Sequence, residues 1–172
     1  LAISGISSYS RRTEQAPVPQ GIQIADVAGG SLHSVIGILA AIHHREKTGQ
    51  GQMIDISMTD AAFALNAMSG AGSIAGNTEP KPEAEMLNGG LFYDYYETQD
   101  GRYFSVGSLE PKFFNSLCEL IGQPELKALA NKPEQQQQLK QAFKDTFKQK
   151  TFKLWQQIFA DADLCVEPVL SL

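Results

Sequence analysis

The sequence predicts an α/β protein built from a βαβ unit, a linker and a small α+β domain. Three observations carry that expectation. Two short stretches of period-two apolar alternation flank an apolar run with helical spacing. A Gly- and Pro-containing break lies near the middle of the chain. Beyond it, aromatic and β-branched stretches are followed by amphipathic helical patterns.

Residues 1–21 are polar, with Arg11-Arg12 and then Pro17 and Pro19, and read as a loop. Ile22 and Ile24 alternate with Gln23, which predicts a short strand ending near Ala25-Asp26. Gly29-Gly30-Ser31 follows, with Ser31 placed to cap a helix. Leu32, Val35, Ile36, Leu39 and Ile42 keep helical spacing, Arg45 and Lys47 occupy the last turn, and Gly49 is the stop. The alternation in Ile54-Asp55-Ile56-Ser57-Met58 predicts a second strand. Strand, helix and strand with short loops imply parallel pairing and a right-handed crossover.

Thr59-Asp60 can cap a further helix from Ala61 to about Ser69. Residues 70–89 read as a linker, which divides the chain into a first part at 1–69 and a second at 90–172. Leu91–Thr98 and Tyr103–Ser108 form a hairpin pattern around Asp100-Gly101. Pro111–Ile121 is an amphipathic helix stopped by Gly122. Glu134–Lys150 and Phe152–Ala160 are two more helices, and the Gln135–Gln138 run reads as a solvated face.

Composition narrows the function classes. Of 172 residues, 42% are hydrophobic and 19% charged, so a core can form. The net charge of −5 argues against a general nucleic-acid binder, which needs a basic face. No apolar run is expected to reach the roughly 18 residues of a membrane span. Cys118 and Cys165 are too few for a disulfide scaffold and lack metal-ligand spacing, so a reduced cytoplasm is expected. The first residues, Leu1-Ala2-Ile3, and the last, Val169–Leu172, read as cuts through a longer protein.

Asp26 has the most informative position. It falls at the carboxyl end of an expected parallel strand, where open α/β sheets bind ligands. Free N–H groups near Gly29, Gly30 and Ser31 could stabilise a bound anion, and the glycines would allow a ligand close to the backbone. The alternative is that Asp26 only caps a turn or favours a helix dipole. Glu110 is the second candidate, directly before Pro111 at a helix start, where an acid is ordinarily electrostatic decoration. His33, His43 and His44 suit structural roles and form no metal-binding pattern, and Cys118 suits a core position. The glycine-rich stretches 48–52 and 70–76 lack the strand-then-helix order of a phosphate-binding loop.

Several linked motifs resemble the family III CoA-transferases (CaiB/BaiF-type). They are Ala25-Asp26-Val27-Ala28-Gly29-Gly30, Gly37–Ala41, Thr48-Gly49-Gln50-Gly51-Gln52 and Asp55–Asp60. The second half, with Asn88-Gly89-Gly90, Phe92-Tyr93, Tyr96–Tyr103 and Gly107-Ser108-Leu109-Glu110-Pro111-Lys112-Phe113, is similar to the α-methylacyl-CoA racemase branch. The resemblance implies a Rossmann-like large domain, incomplete here, joined to the small domain, in an interlocked homodimer. It implies epimerisation of 2-methylacyl-CoA thioesters through an enolate, with no metal or redox cofactor, coenzyme A being part of the substrate. Asp26 then matches the catalytic aspartate and Glu110 the glutamate that assists a histidine. That histidine lies, in the family, in a Gly-His-Asp-Ile-Asn-Tyr stretch upstream of the segment matching Leu1, so this chain by itself is expected to be inactive. Gly29, Gly30, Asn88, Gly89 and Tyr93 are the expected substrate-binding residues.

The nearest rival is a CoA-transferase in which the residue matching Asp26 is a nucleophile. Leu109-Glu110-Pro111 favours the racemase, as does the lack of a glycine-rich loop after Tyr103. A third reading is a non-catalytic binding or oligomerisation module. Phe92, Tyr93, Met86 and Leu87 are candidates for lining the acyl group, although aromatic strand residues are more often core.

Overall fold

The computed structural model describes residues 1–130 and 132–172. By contacts the chain divides into two compact units, Leu1–Pro82 and Glu83–Leu172. The first is helical among the described residues. A short α1 (Ile6–Tyr9) precedes a nine-residue π-helix, Ile24–Leu32, which runs directly into α2 (His33–Thr48). Two further helices follow, α3 (Met58–Leu65) and α4 (Ala67–Gly76).

The expected βαβ unit does not form: neither flanking stretch is a strand. The first alternation is only three residues long, and its backbone groups find partners locally. Ile24 N–H donates to Ile22 O at 3.1 Å in a γ-turn and Val27 N–H to Gln23 O at 2.9 Å with helical spacing, so local turns outcompete extension. In the second stretch the alternation is used without pairing. Ile54 and Ile56 both lie against Gly37 of α2, where a Cβ would meet them at 3.0 and 3.5 Å. A strand is held by lateral hydrogen bonds, and among the described residues no neighbouring strand offers them in this unit.

Helix ends follow the sequence unevenly. Gly49 ends α2 as expected, in the left-handed region at φ 73°. Ser31 does not cap it, because the helix has already begun at Ile24; its hydroxyl donates to Asp26 O at 3.2 Å. The cap of α3 is Ser57, whose Oγ accepts from Asp60 N–H at 3.2 Å, two residues before Thr59-Asp60 begins. The beginning of the 70–89 stretch is helical as the end of α4, where Gly70 lets the ring of Phe63 approach.

Ile24–Thr48 is one helical run of 25 residues, long and apolar enough by length and composition alone to cross a membrane. The expectation that no apolar run reaches that length is corrected by this helix, which continues through Gly29, Gly30 and Ser31 where the sequence reads as a break. Its Gly29 face is packed on α3, while Ile36 and Leu39 of α2 are largely exposed.

The second unit follows its sequence closely. Strands β1 (Asp94–Glu97) and β2 (Tyr103–Val106) pair antiparallel, with Asp94 opposite Val106 and Glu97 opposite Tyr103. A third strand not anticipated from sequence, β3 (Val166–Pro168), adds antiparallel to β2. The alternation buries Tyr96, Phe104 and Val106 and leaves Tyr95 and Tyr103 exposed. Helices α5 (Pro111–Leu120), α6 (Gln136–Phe147) and α7 (Phe152–Phe159) contribute the rest of this core. Pro111 opens α5 at its first position, where its missing N–H costs nothing.

Aromatic rings dominate that core. Tyr96 stacks on Phe147 with centroids 5.4 Å apart, and Trp155 on Phe159 at 5.3 Å. Trp155 also donates its indole N–H to Phe147 O at 2.9 Å, so its one polar atom is satisfied. The glutamine run is only partly a solvated face. Gln136 is 5% exposed, and its amide donates to Ala130 O at 3.0 Å, closing the end of a 3₁₀ turn at Pro124–Leu129.

The hairpin turn also fastens α7. Asp100 Oδ1 accepts from Thr98 Oγ1 at 2.6 Å and from Phe152 N–H at 2.9 Å. The Thr98 bond first, and the Phe152 amide second, hold the Asp100 carboxyl below its usual value of 3.8. A depressed carboxylate stabilises the fold above its unfolded pKa and loses that contribution as pH falls through the folded value. Asp100→Ala should therefore lower the melting temperature at pH 7 and converge on wild type well below pH 3.8. An equal deficit at both pH values would show that the ionised carboxyl is not the cause. Trp155→Ala should cost about 3–5 kcal/mol in denaturant unfolding, as for other large aromatic truncations in a core.

Candidate functional site

The sequence-derived candidates fall in both units. Asp26, Gly29 and Gly30 belong to the first; Asn88, Gly89, Tyr93 and Glu110 belong to the second.

Asp26 lies in the first turn of the π-helix and is exposed. A π-helix is an uncommon element that often marks functional positions, and a carboxylate near a helix N-terminus is favoured by the dipole. The N–H groups of Gly29, Gly30 and Ser31, expected to be free at a helix start, instead sit late in the π-helix, where i→i+5 bonding uses such groups. The two glycines serve close approach of protein to protein. A Cβ on Gly29 would lie 3.1 Å from Met58 O and 3.6 Å from Ala62 N, and one on Gly30 would lie 3.2 Å from Met58 Cγ. They seat the π-helix on the start of α3.

His33 opens α2 with Nδ1 2.7 Å from Ala28 O. A carbonyl only accepts, so Nδ1 carries a proton and the ring is held in place. It borders an open cleft of about 370 Å³ together with Asp55, Ser57 and Asp60. His43 and His44 are exposed on α2. Among the described residues, no group of three or more His, Cys, Asp or Glu side chains could hold a metal ion. Cys118 is buried, and burial pushes its thiol up to about 11, which suits a core residue and not a nucleophile.

In the second unit, Glu110 is the N-cap residue of α5 and is exposed, with extended backbone at φ −71° and ψ 137°. Its side chain makes no capping bond, so the carboxylate is not committed to the helix it precedes. The segment between β2 and Glu110 is firmly held. Ser108 is fully buried and its hydroxyl donates to Leu164 O, while Gly107 N–H donates to Cys165 O at 2.8 Å. Tyr93, half-buried, lies against Gly107, where a Cβ would meet its Cε2 at 3.4 Å. Tyr93 therefore flanks the segment that leads to Glu110.

Asn88-Gly89-Gly90 is a tightly closed turn. Asn88 Oδ1 accepts from Glu85 N–H at 2.8 Å, and Gly90 N–H donates to Glu85 O at 3.0 Å. Gly89 has φ 96°, open to glycine, and a Cβ on Gly90 would lie 2.4 Å from the Ala84 carbonyl carbon. The motif is thus fixed by backbone geometry in its own right. Ser108 carried no weight as a site residue in the sequence, because a serine gives no sign of burial until a distant carbonyl such as that of Leu164 is placed beside it.

The CoA-transferase family III sequence profile matches residues 1–172. The chain belongs to CoA-transferase family III. Among its relatives, the mouse alpha-methylacyl-CoA racemase is 35% identical over 177 residues, covering 99% of this chain and 45% of that protein. The succinyl-CoA–D-citramalate CoA-transferase of Chloroflexus aurantiacus is 29% identical, covering 73% of this chain and 31% of the relative. A CAIB/BAIF family protein from Brucella suis has a similar crystal structure, with TM-score 0.66 and 25% identity over 99% of this chain and 46% of that one. The chain spans about half the length of the curated relatives it matches over its full extent.

The glycine packing predicts an asymmetry. Gly29→Ala should destabilise the first unit, because the added methyl meets backbone that cannot yield, whereas Gly30→Ala should be nearly neutral, because its tight contacts are with the flexible Met58 side chain and Ala25 O lies at an ordinary 3.7 Å. Melting temperatures of the two variants give the comparison, and equal losses would refute it.

Proposed function

We propose that the full-length protein containing this chain epimerises 2-methylacyl-CoA thioesters. One observation carries the reading: similarity to a racemase extends across 99% of the chain, through both units, at 35% identity, whereas the transferase similarity covers 73% at 29%. The exposed placement of Asp26 and Glu110, each at the start of a helix, supports it.

The chemistry needs a base, because the α-proton beside a thioester is only weakly acidic. The Asp26 carboxylate takes that proton from one face; the carbon–hydrogen electron pair moves into the enolate, and the thioester oxygen carries the charge. Reprotonation on the opposite face comes from a histidine assisted by Glu110. None of the chain's own histidines fits that role: His33 is held at Ala28 O, and His43 and His44 lie near the end of α2. The 172-residue chain alone is therefore inactive in this reading. Tyr93, Asn88 and Gly89 contact the acyl-CoA, and Gly29 and Gly30 act by seating the helix that bears Asp26.

The same reading has the full-length protein acting as a cytoplasmic homodimer, without metal or redox cofactor, and without binding nucleic acid or membrane. The largely exposed apolar side chains of α2, such as Ile36 and Leu39, support burial against further protein. The second reading is CoA transfer, supported by the Chloroflexus relative. There the Asp26 carboxylate attacks the thioester carbonyl, the carbon–sulfur bond breaks, and a mixed anhydride and CoA thiolate result.

One experiment separates them. The full-length protein is incubated with a single enantiomer of a 2-methylacyl-CoA in D2O, and the α-proton is followed by NMR. Loss of that signal with growth of the other epimer is expected, and Asp26→Asn should slow it by about 10²–10⁴-fold, the usual worth of a positioned base. Glu110→Gln should also slow it, since it removes the assisting carboxylate. No exchange in a folded protein that binds the thioester would overturn the racemase reading; transfer of CoA to a second carboxylate would establish the other.

A further inference from the structure

The second unit holds one ion pair that the reaction above does not use and that is almost wholly inside the protein. Lys140 Nζ of α6 lies 3.3 Å from Asp94 Oδ2 of β1, with side chains only 6% and 7% exposed. The same ammonium donates to the carbonyl oxygen of Gly89. Asp94 Oδ1 also accepts from Tyr95 N–H at 2.8 Å. On α6 the neighbouring Leu139 and Phe143 are buried, and Phe92 packs edge-on to Phe143 at 5.9 Å.

Burying two charges carries a desolvation cost that mutual attraction rarely exceeds, and an apolar pair of similar volume would hold α6 on β1 as well. The pair does something an apolar pair cannot. It binds a backbone carbonyl in the Asn88-Gly89-Gly90 turn, whose own geometry is closed by Glu85 and by the lack of space at Gly90. A few residues on, the Tyr96 hydroxyl donates to Phe92 O at 2.7 Å. Tyr93, directly after the second tethered carbonyl, is the residue whose ring lies against Gly107 on the approach to Glu110. Lys140 and Tyr96 thus hold two points, Gly89 and Phe92, within the short segment Asn88–Tyr93.

We propose that Lys140, neutralised by Asp94, is a positioning residue for substrate: it holds the Asn88–Tyr93 segment in the one arrangement that receives the acyl-CoA. The inference rests on the assignment of that segment to acyl-CoA binding. Lys140 acts through the segment and does not touch the reacting carbon, so its loss should appear in binding and not in turnover.

The test uses the full-length protein, with a 2-methylacyl-CoA as the probe. Lys140→Met should raise KM and the directly measured Kd about tenfold, the scale of one lost charged hydrogen bond, with kcat little changed. Amide hydrogen exchange should quicken in 84–93 while 103–106 stays protected, and Lys140→Arg should recover part of the affinity. If Lys140→Met fails to fold because the buried Asp94 charge loses its counter-ion, the double variant Lys140→Met with Asp94→Leu removes both charges and gives the same readings. Unchanged Kd in either folded variant would overturn the proposal, and so would a fall in kcat at constant KM. A wild-type protein that binds no acyl-CoA would instead overturn the functional assignment, a failure visible before any variant is made.

Discussion

Backbone hydrogen bonding is the constraint on which the rest of this structure depends. Every N–H and C=O removed from water needs a partner, and the two units meet that demand differently. The second unit closes its own ladder: β1, β2 and β3 pair in order, and three helices add their apolar faces to the same core as Tyr96, Phe104 and Val106. The first has no strand among its described residues, so its backbone bonds are made within helices and local turns, including nine residues of the uncommon π form. The position of Asp26 follows from that choice, because the residue expected at a strand end becomes a residue of a helix's first turn.

The same contrast explains what could be read from the sequence. Local signals were sufficient in the second unit. Asp100-Gly101 fixes the hairpin, Pro111 and Gly122 bound α5, and the alternation around Tyr96 and Phe104 identifies the buried face. Local signals misled where a distant partner decides. The alternation at Ile22–Ile24 and Ile54–Met58 describes surfaces that suit strands, and Ile54 and Ile56 do share a face against Gly37, but pairing is a property of two segments and not of one. β3 was missed for the complementary reason. Three residues carry too little pattern, and their strand character comes from the exposed edge of β2.

Site residues divide along similar lines. A carboxylate at a helix start, such as Asp26 or Glu110, is legible because position along the chain already sets its electrostatic environment. Buried polar partners are not legible. Lys140 reads in sequence as one more charge on an amphipathic helix, and nothing local announces that Asp94 and Gly89 O surround it. Gly29 and Gly90 illustrate the middle case. Their presence suggests crowding, yet only the fold shows that Met58 and Ala84 supply it.

These differences bear on how a proton-transfer site can be built. In the proposed epimerisation, moving a proton between two faces of a carbon would demand groups held to within a fraction of an ångström, so each carboxylate would need a support stiffer than its own side chain. Glu110 has one: Ser108 and Gly107 are bonded to Leu164 and Cys165, and Pro111 fixes the backbone that follows. Asp26 rests on a π-helix whose hydrogen-bond geometry is intrinsically less favourable than that of an α-helix, and which is steadied chiefly by the seating of Gly29 on α3. Of the two carboxylates, Asp26 is therefore the one whose placement depends on tertiary packing beyond its own segment. A mutation in α3, far in sequence from either acid, should disturb Asp26 before it disturbs Glu110.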